Sequence, residues 1–204
     1  MDWVTTLARE ARTNPLVRIK DMAAKHRLAN ATVAKALKRQ EDRKLLEKIS
    51  DNTYLNLLAA SVGPKDLVNE LVPDAYISLG TALAEWGLSS QNPVAATCVT
   101  TARARRISAA SIQIVFRKIS ADLFWGFTEK KSRYGRYKIA EPEKALLDWI
   151  YFHLKDGLPV EFDEIQFAKL SRSKLVAYAK KYPSTVVQTL FFPLLEGTIA
   201  GLQP

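Results

Sequence analysis

One cysteine, two histidines and no long apolar run leave few chemistries open to this chain. Cys98 alone cannot form an intramolecular disulfide, which fits a reducing compartment. His26 and His153 lie far apart in sequence, and neither has a neighbour at the spacing of a zinc site or a catalytic triad. The glycines form neither a Walker nor a Rossmann phosphate loop. No stretch approaches the roughly 20 apolar residues of a membrane span. The N-terminus is acidic and amphipathic rather than basic then apolar, so no secretory leader is expected. These absences point to a cytoplasmic protein with no membrane contact, no metal, no cofactor and no catalysis. Glu141, Glu143 and Asp148 could be imagined as an acid/base set. The glutamates are explained by a helix start, however, and Asp148 can pair with Lys144 across one helical turn.

Acidic residues are also in short supply: 21 against 30 Lys and Arg, for a net charge of +9. Such an excess favours an anionic partner, most simply nucleic acid. From Arg12 to Lys48 eleven basic residues face four acids, and from Thr100 to Lys138 ten face only Asp122 and Glu129. At 204 residues and 48% hydrophobic, the chain can bury a core and divide into one small and one medium domain. Gly63 and Pro64 interrupt the pattern, placing the boundary between 1–60 and 61–204.

Arg18 to Arg39 has the spacing of two short helices joined by a tight turn. Met22, Leu28, Val33 and Leu37 fall where such a pair buries its contacts, and Ala23 where the helices cross. Asn30 is the expected N-cap of the second helix. His26 occupies a position usually aliphatic, and Arg27 one usually glycine, so Arg27 must adopt a left-handed conformation or widen the turn. Leu45 to Ile49, a turn at Asp51 and Asn52, and Thr53 to Leu55 read as a hairpin. Trp3, Val4, Leu7, Ala8 and Ala11 recur at helical spacing before the pair. Helix, helix, helix, hairpin is the order of a winged helix-turn-helix.

Beyond the boundary, Asp66 to Leu71 and Leu79 to Trp86 read as helices, the latter ended by Gly87. Ala75 to Ser78, Val94 to Thr100, Ile112 to Ile119, Leu123 to Phe127 and Tyr137 to Ala140 read as extended pieces of a small sheet. Glu141-Pro142-Glu143 opens a helix whose buried side holds Ala145, Leu146, Trp149, Ile150 and Phe152. Arg172 to Lys181 and Thr185 to Leu195 complete an α+β chain, in which a winged helix precedes a sheet covered by helices. Most of the aromatic residues are expected in the core. The apolar run Leu190 to Leu195 is expected in the core as well, with a partner-helix surface as the alternative.

Four blocks, Tyr76 to Leu88 (YISLGTALAEWGL), Thr100 to Ile107 (TTARARRI) with Phe116 to Ile119 (FRKI), Leu123 to Phe127 (LFWGF) and Ile139 to Phe152 (IAEPEKALLDWIYF), carry a resemblance in their order and spacing. They resemble the AbiEi-type antitoxins of type IV toxin–antitoxin, or abortive-infection, systems. The most specific piece is Ala140 to Asp148, and the resemblance spans nearly the whole chain. It implies a winged helix that binds inverted repeats in the promoter of its own operon. It also implies a C-terminal domain needed to counteract a nucleotidyltransferase-like toxin, with or without direct contact. The glycine that commonly precedes the wing tyrosine in that family is absent, Asn52 and Thr53 standing before Tyr54.

If the second helix of the pair docks in the major groove, Asn30, Ala31, Thr32, Ala34, Lys35 and Lys38 face the bases. Lys35 can donate to guanine, and Asn30 or Thr32 to base edges or phosphate. Lys20, Arg39, Arg43, Lys44 and Lys48 are placed to meet phosphates. Binding to two half-sites would need two copies on DNA. Arg103, Arg105 and Arg106, with Arg117 and Lys118, form a second basic group. Three readings stay open for it: a sheet edge guarded by charge, an accessory DNA contact, and a surface that acts against the toxin. A stand-alone winged-helix regulator, whose C-terminal domain senses a ligand or dimerises, is the alternative to the antitoxin.

Overall fold

The chain folds as an α+β protein in a computed structural model that describes residues 1–91, 93–186 and 188–189. The first unit begins with α1 (Trp3–Glu10), whose N-cap Asp2 accepts a hydrogen bond from the Val4 amide at 3.0 Å. Strand β1 (Leu16–Arg18) leads directly into α2 (Ile19–His26), and α3 (Asn30–Asp42) follows the turn. Strands β2 (Leu46–Ser50) and β3 (Thr53–Asn56) form the hairpin, and the three-stranded sheet runs β1-β3-β2. Its core joins Leu7, Val17, Met22, Ala23, Val33, Leu37, Leu46 and Tyr54. Of the expected α1 stripe, Leu7 and Ala11 are buried, Trp3 and Val4 half-buried and Ala8 exposed. Buried Asn56 donates to the Leu7 carbonyl at 2.9 Å and so ties α1 to the end of β3.

Two details of the helix pair bear on its sequence. Arg27 does take the left-handed conformation, with φ 53° and ψ 45°, and caps α2 where glycine would cost nothing. Asn30 is not the N-cap: Ala29 is, with its carbonyl accepting from the Thr32 and Val33 amides and no side chain contributing. The chain enters α3 one residue earlier than the capping preference of Asn30 suggested, and Asn30 is left exposed on the first turn. His26 fills its apolar position by packing edge-on against Trp3, ring centroids 6.3 Å apart.

The second unit comprises α4 (Pro64–Leu71), β4 (Ala75–Ile77), α5 (Leu79–Glu85), β5 (Ala96–Thr100), β6 (Arg105–Ala109), β7 (Ile112–Lys118), β8 (Phe127–Lys131), β9 (Arg136–Ala140), α6 (Pro142–Asp156) and α7 (Arg172–Ala179). The sheet order is β6-β7-β5-β4-β9-β8, with β4–β9 and β5–β7 parallel and the other pairs antiparallel. Register places Ile77, Cys98 and Phe116 on one face, and Tyr76, Val99 and Arg117 on the other. The first face meets α4; the second meets α5 and α6.

The sheet exceeds the small one expected, and two of its strands explain why. Leu123 to Phe127 is not a strand: a 3₁₀ turn at Ala121–Leu123 gives way to an irregular passage through Gly126, at φ 71°. Its aromatics reflect packing rather than pleating, since Phe127 stacks on Tyr76 with centroids 4.9 Å apart and Phe124 packs against it, tilted, at 5.2 Å. Strand β8 starts only at Phe127 and is polar because it is an edge. Strand β6 starts at Arg105, so Arg103 lies in the preceding loop.

The Gly63–Pro64 break falls at the start of α4, where Gly63 is the N-cap, yet Leu16 and Leu55 of the first unit pack into the larger core. Arg18 also reaches across, donating to the Glu70 carbonyl at 2.6 Å and carboxylate at 3.0 Å. The helix expected from Thr185 to Leu195, with the Leu190–Leu195 run, lies largely outside the described residues.

Candidate nucleic-acid interface

Helix α3 is held by Val33 and Leu37, both fully buried, which turns the opposite side outward. Asn30, Ala31, Thr32, Lys35, Lys38 and Arg39 are exposed there, whereas Ala34 is half-buried against the small core and offers little to a groove. Lys38 lies 3.0 Å from Glu41 and 3.3 Å from Asp42, and the hydrogen bonds it donates to those carboxylates raise its pKa. Lys48 on β2 pairs with Asp51 at 3.1 Å. For either lysine a phosphate would replace an existing partner rather than add one. Lys35 and Arg39 have no acidic partner among the described residues.

Other basic residues frame this face. Lys20 is exposed on the first turn of α2, and Arg43 donates to Gln40 at 3.2 Å. Lys44 holds a left-handed φ of 62° in the turn before β2, with its side chain exposed. The hairpin turns at Asp51 and Asn52, with a register shift between Lys48 and Ser50 that bends the edge strand. The arrangement offers a helix face with few hydrogen-bonding groups and a flanking set of cations.

The second basic group does not form one surface. Arg105 pairs with Phe116, stacks on its ring at 5.6 Å and donates to the Leu71 carbonyl at 2.8 Å, anchoring β6 to the end of α4. Arg117 lies on the opposite face, its guanidinium 4.4 Å from the Phe152 ring centroid and bonded to Asp156 at 2.8 Å. Arg103, Arg106 and Lys118 remain exposed, with β6 forming one edge of the sheet.

Charge patterning did not reveal a centre buried between the sheet, α6 and α7. Lys144 and Asp148, both 0% exposed, pair at 2.6 Å. Asp148 also accepts from Tyr182 at 2.7 Å, Ser78 at 2.7 Å and Tyr76 at 3.0 Å, while Lys144 donates to Tyr182 at 2.5 Å. The ammonium sits over the rings of Trp125, Tyr182 and Tyr76 at 4.9, 5.0 and 5.4 Å. Burial pushes the Lys144 pKa down, opposed by Asp148, and pushes the Tyr76 and Tyr182 phenols well up. The i,i+4 spacing showed the pairing but not the burial, because three of the partners come from β4, Ser78 and the segment after α7.

Beside this centre, Glu143 accepts from the Ser171 amide at 3.0 Å, and Lys174 stands 3.4 Å from both Glu141 and Glu143. Tyr178 donates to Glu141 at 2.5 Å. These contacts clamp α7 onto the first turn of α6. Among the described residues no three His, Cys, Asp or Glu side chains gather to hold a metal, and no helix is long and apolar enough to cross a membrane. Cys98 is buried, which raises its thiol pKa. No protein-family model and no curated protein matches the chain.

Proposed function

We propose that the chain is a cytoplasmic, non-enzymatic DNA-binding antitoxin that represses its own operon and counteracts a nucleotidyltransferase-like toxin. The observation that carries the DNA reading is α3, anchored by Val33 and Leu37 and turning Asn30, Thr32, Lys35 and Arg39 outward beside a hairpin with a basic approach. On this reading the first unit is a winged helix-turn-helix. Two copies occupy an inverted repeat, and most of the affinity comes from phosphates because Ala31 offers only an apolar contact. The antitoxin reading rests on the resemblance of the four blocks from Tyr76 to Phe152. In that role the exposed Arg103, Arg106 and Lys118 are the candidates for acting against the toxin or touching DNA, whereas Arg105 and Arg117 serve the fold.

The test is binding of the full chain to the DNA upstream of its own reading frame, across a salt series. Affinity should fall steeply with salt, and Lys35→Ala with Arg39→Ala should weaken it and lower the log–log slope by about 1 for each bound copy, through the lost phosphate contact of Arg39. Affinity that ignores salt, or a double variant that binds like the parent, would refute the interface. Co-expression with a neighbouring nucleotidyltransferase-like toxin tests the second role. The same double variant should still restore growth, separating rescue from repression. Point variants suit this better than a chain starting at Ser61, because removal of the first unit would take Leu16 and Leu55 from the main core.

A further inference from the structure

A cavity of about 630 Å³ opens between the linker after β3, the start of α4, α5 and the β8–β9 turn. That volume lies within the ~300–1,000 Å³ of small-molecule sites. Its two acids are already committed. Asp66 accepts from the Gly63 amide at 2.9 Å and the Tyr134 amide at 3.2 Å. Glu85 binds Lys65 at 2.5 Å and accepts from Tyr137 at 3.4 Å. What remains uncommitted is a set of donors. The Ser132 hydroxyl oxygen is buried and has no hydrogen-bond partner among the described residues. Among the described residues the exposed Arg133 guanidinium has only a loose approach to the Tyr134 ring, 5.7 Å from its centroid. Ser61 and Ser90 add hydroxyls, and Lys65 keeps donors beyond its single bond to Glu85.

No free carboxylate is left to receive a cation, whereas a guanidinium, an ammonium and several hydroxyls suit the oxygens of a phosphoryl group. The apolar side chains of Ile77, Ala84 and Pro93 line the same cavity and leave more room than a bare anion fills. We propose that this cavity binds a phosphorylated small molecule of mononucleotide size, with Arg133, Ser132 and Lys65 on the phosphoryl group and the ring against the apolar wall. Such a ligand would bridge the linker and the β8–β9 turn, already joined by the Tyr134 hydroxyl donating to the Ala60 carbonyl at 2.8 Å. Occupancy therefore stiffens the joint between the two units. The site stands whether or not the antitoxin reading holds.

Calorimetric titration of the full chain tests it, with the four ribonucleoside 5′-monophosphates, ribose 5-phosphate, adenosine and inorganic phosphate as probes. At least one phosphate ester should bind saturably at one site, with adenosine and inorganic phosphate each about tenfold weaker or more. Arg133→Met and Ser132→Val should each weaken that ester about tenfold, as loss of a bond to a charged group does. Unchanged circular dichroism would show that both variants fold. Lys35→Ala with Arg39→Ala should leave binding intact, and its loss there would place the ligand on α3 and overturn the proposal. So would the absence of saturable binding at millimolar concentrations, equal binding of inorganic phosphate, or indifference to both cavity substitutions.

Discussion

Lys144 and Asp148 are equally buried but unequally supported, and this makes the cost of losing each one different. Asp148→Asn keeps the volume but leaves the ammonium with a neutral amide oxygen, the Tyr182 hydroxyl and three aromatic faces in place of a carboxylate. An uncompensated buried charge costs about 3–5 kcal/mol. For a chain of this size that lowers Tm by about 6–20 °C. Lys144→Met leaves the carboxylate with hydroxyl donors from Tyr76, Ser78 and Tyr182. Its cost should approach that of one charge-assisted bond, about 1.5–3 kcal/mol. The pair Lys144→Met and Asp148→Asn should return to within about 2 kcal/mol of the parent, since no charge is then stranded. Urea denaturation followed by circular dichroism and tryptophan fluorescence measures all four corners of the cycle. Lys144→Met proving as costly as Asp148→Asn, or a double variant weaker than either single one, would refute the reasoning.

Arg27→Gly should raise stability by about 0.5–1 kcal/mol, because the left-handed turn strains an L side chain by more than glycine loses in chain entropy. A urea midpoint that fails to rise would count against strain at this turn. Alkaline stability should report Tyr76 and Tyr182, whose folded pKa values lie above their ordinary 10.0. The unfolded chain releases those protons first, so their contribution is complete below pH 10 and falls above it by about 1.4 kcal/mol per pH unit for each phenol. Lys144, lowered from its ordinary 10.5, acts oppositely up to that pH. The decline is therefore clearest above pH 10.5, where the raised Cys98 thiol adds to it, and Tyr182→Phe should remove about 1.4 kcal/mol per pH unit from its slope in denaturation measured across the series.

The helix pair was legible because local rules decide it. Apolar residues at helical spacing fixed which side of α3 is buried, and the same spacing left Lys35 and Arg39 outside. The non-glycine at the turn left Arg27 a left-handed conformation or a wider turn, and Arg27 takes the first. Where reading failed, a distant partner had changed the meaning of a residue. The aromatics of Leu123 to Phe127 look like a strand because β-branched and aromatic content is all that sequence shows; they face Tyr76 and the α7 region from an irregular turn. Arg105 and Arg117 look like one basic surface, yet register sends them to opposite faces of the sheet, and each is bound where it lands. Asn30 yielded the cap to Ala29, since the carbonyl that starts α3 belongs to the preceding residue.

By itself the sequence determined an α+β chain with an excess of positive charge, a helix pair with one outward basic side, and a break at Gly63–Pro64. Each of these depends on periodicity, composition or backbone preference within a few residues. Tertiary structure alone decided that Lys144 and Asp148 would be sealed by Tyr76, Ser78 and Tyr182, and that Leu16 and Leu55 would join the larger core. It also decided that Ser132 and Arg133 would share a cavity with Ser61. Burial and cavity shape arise only when segments distant in sequence converge, and no local pattern encodes which of them will meet.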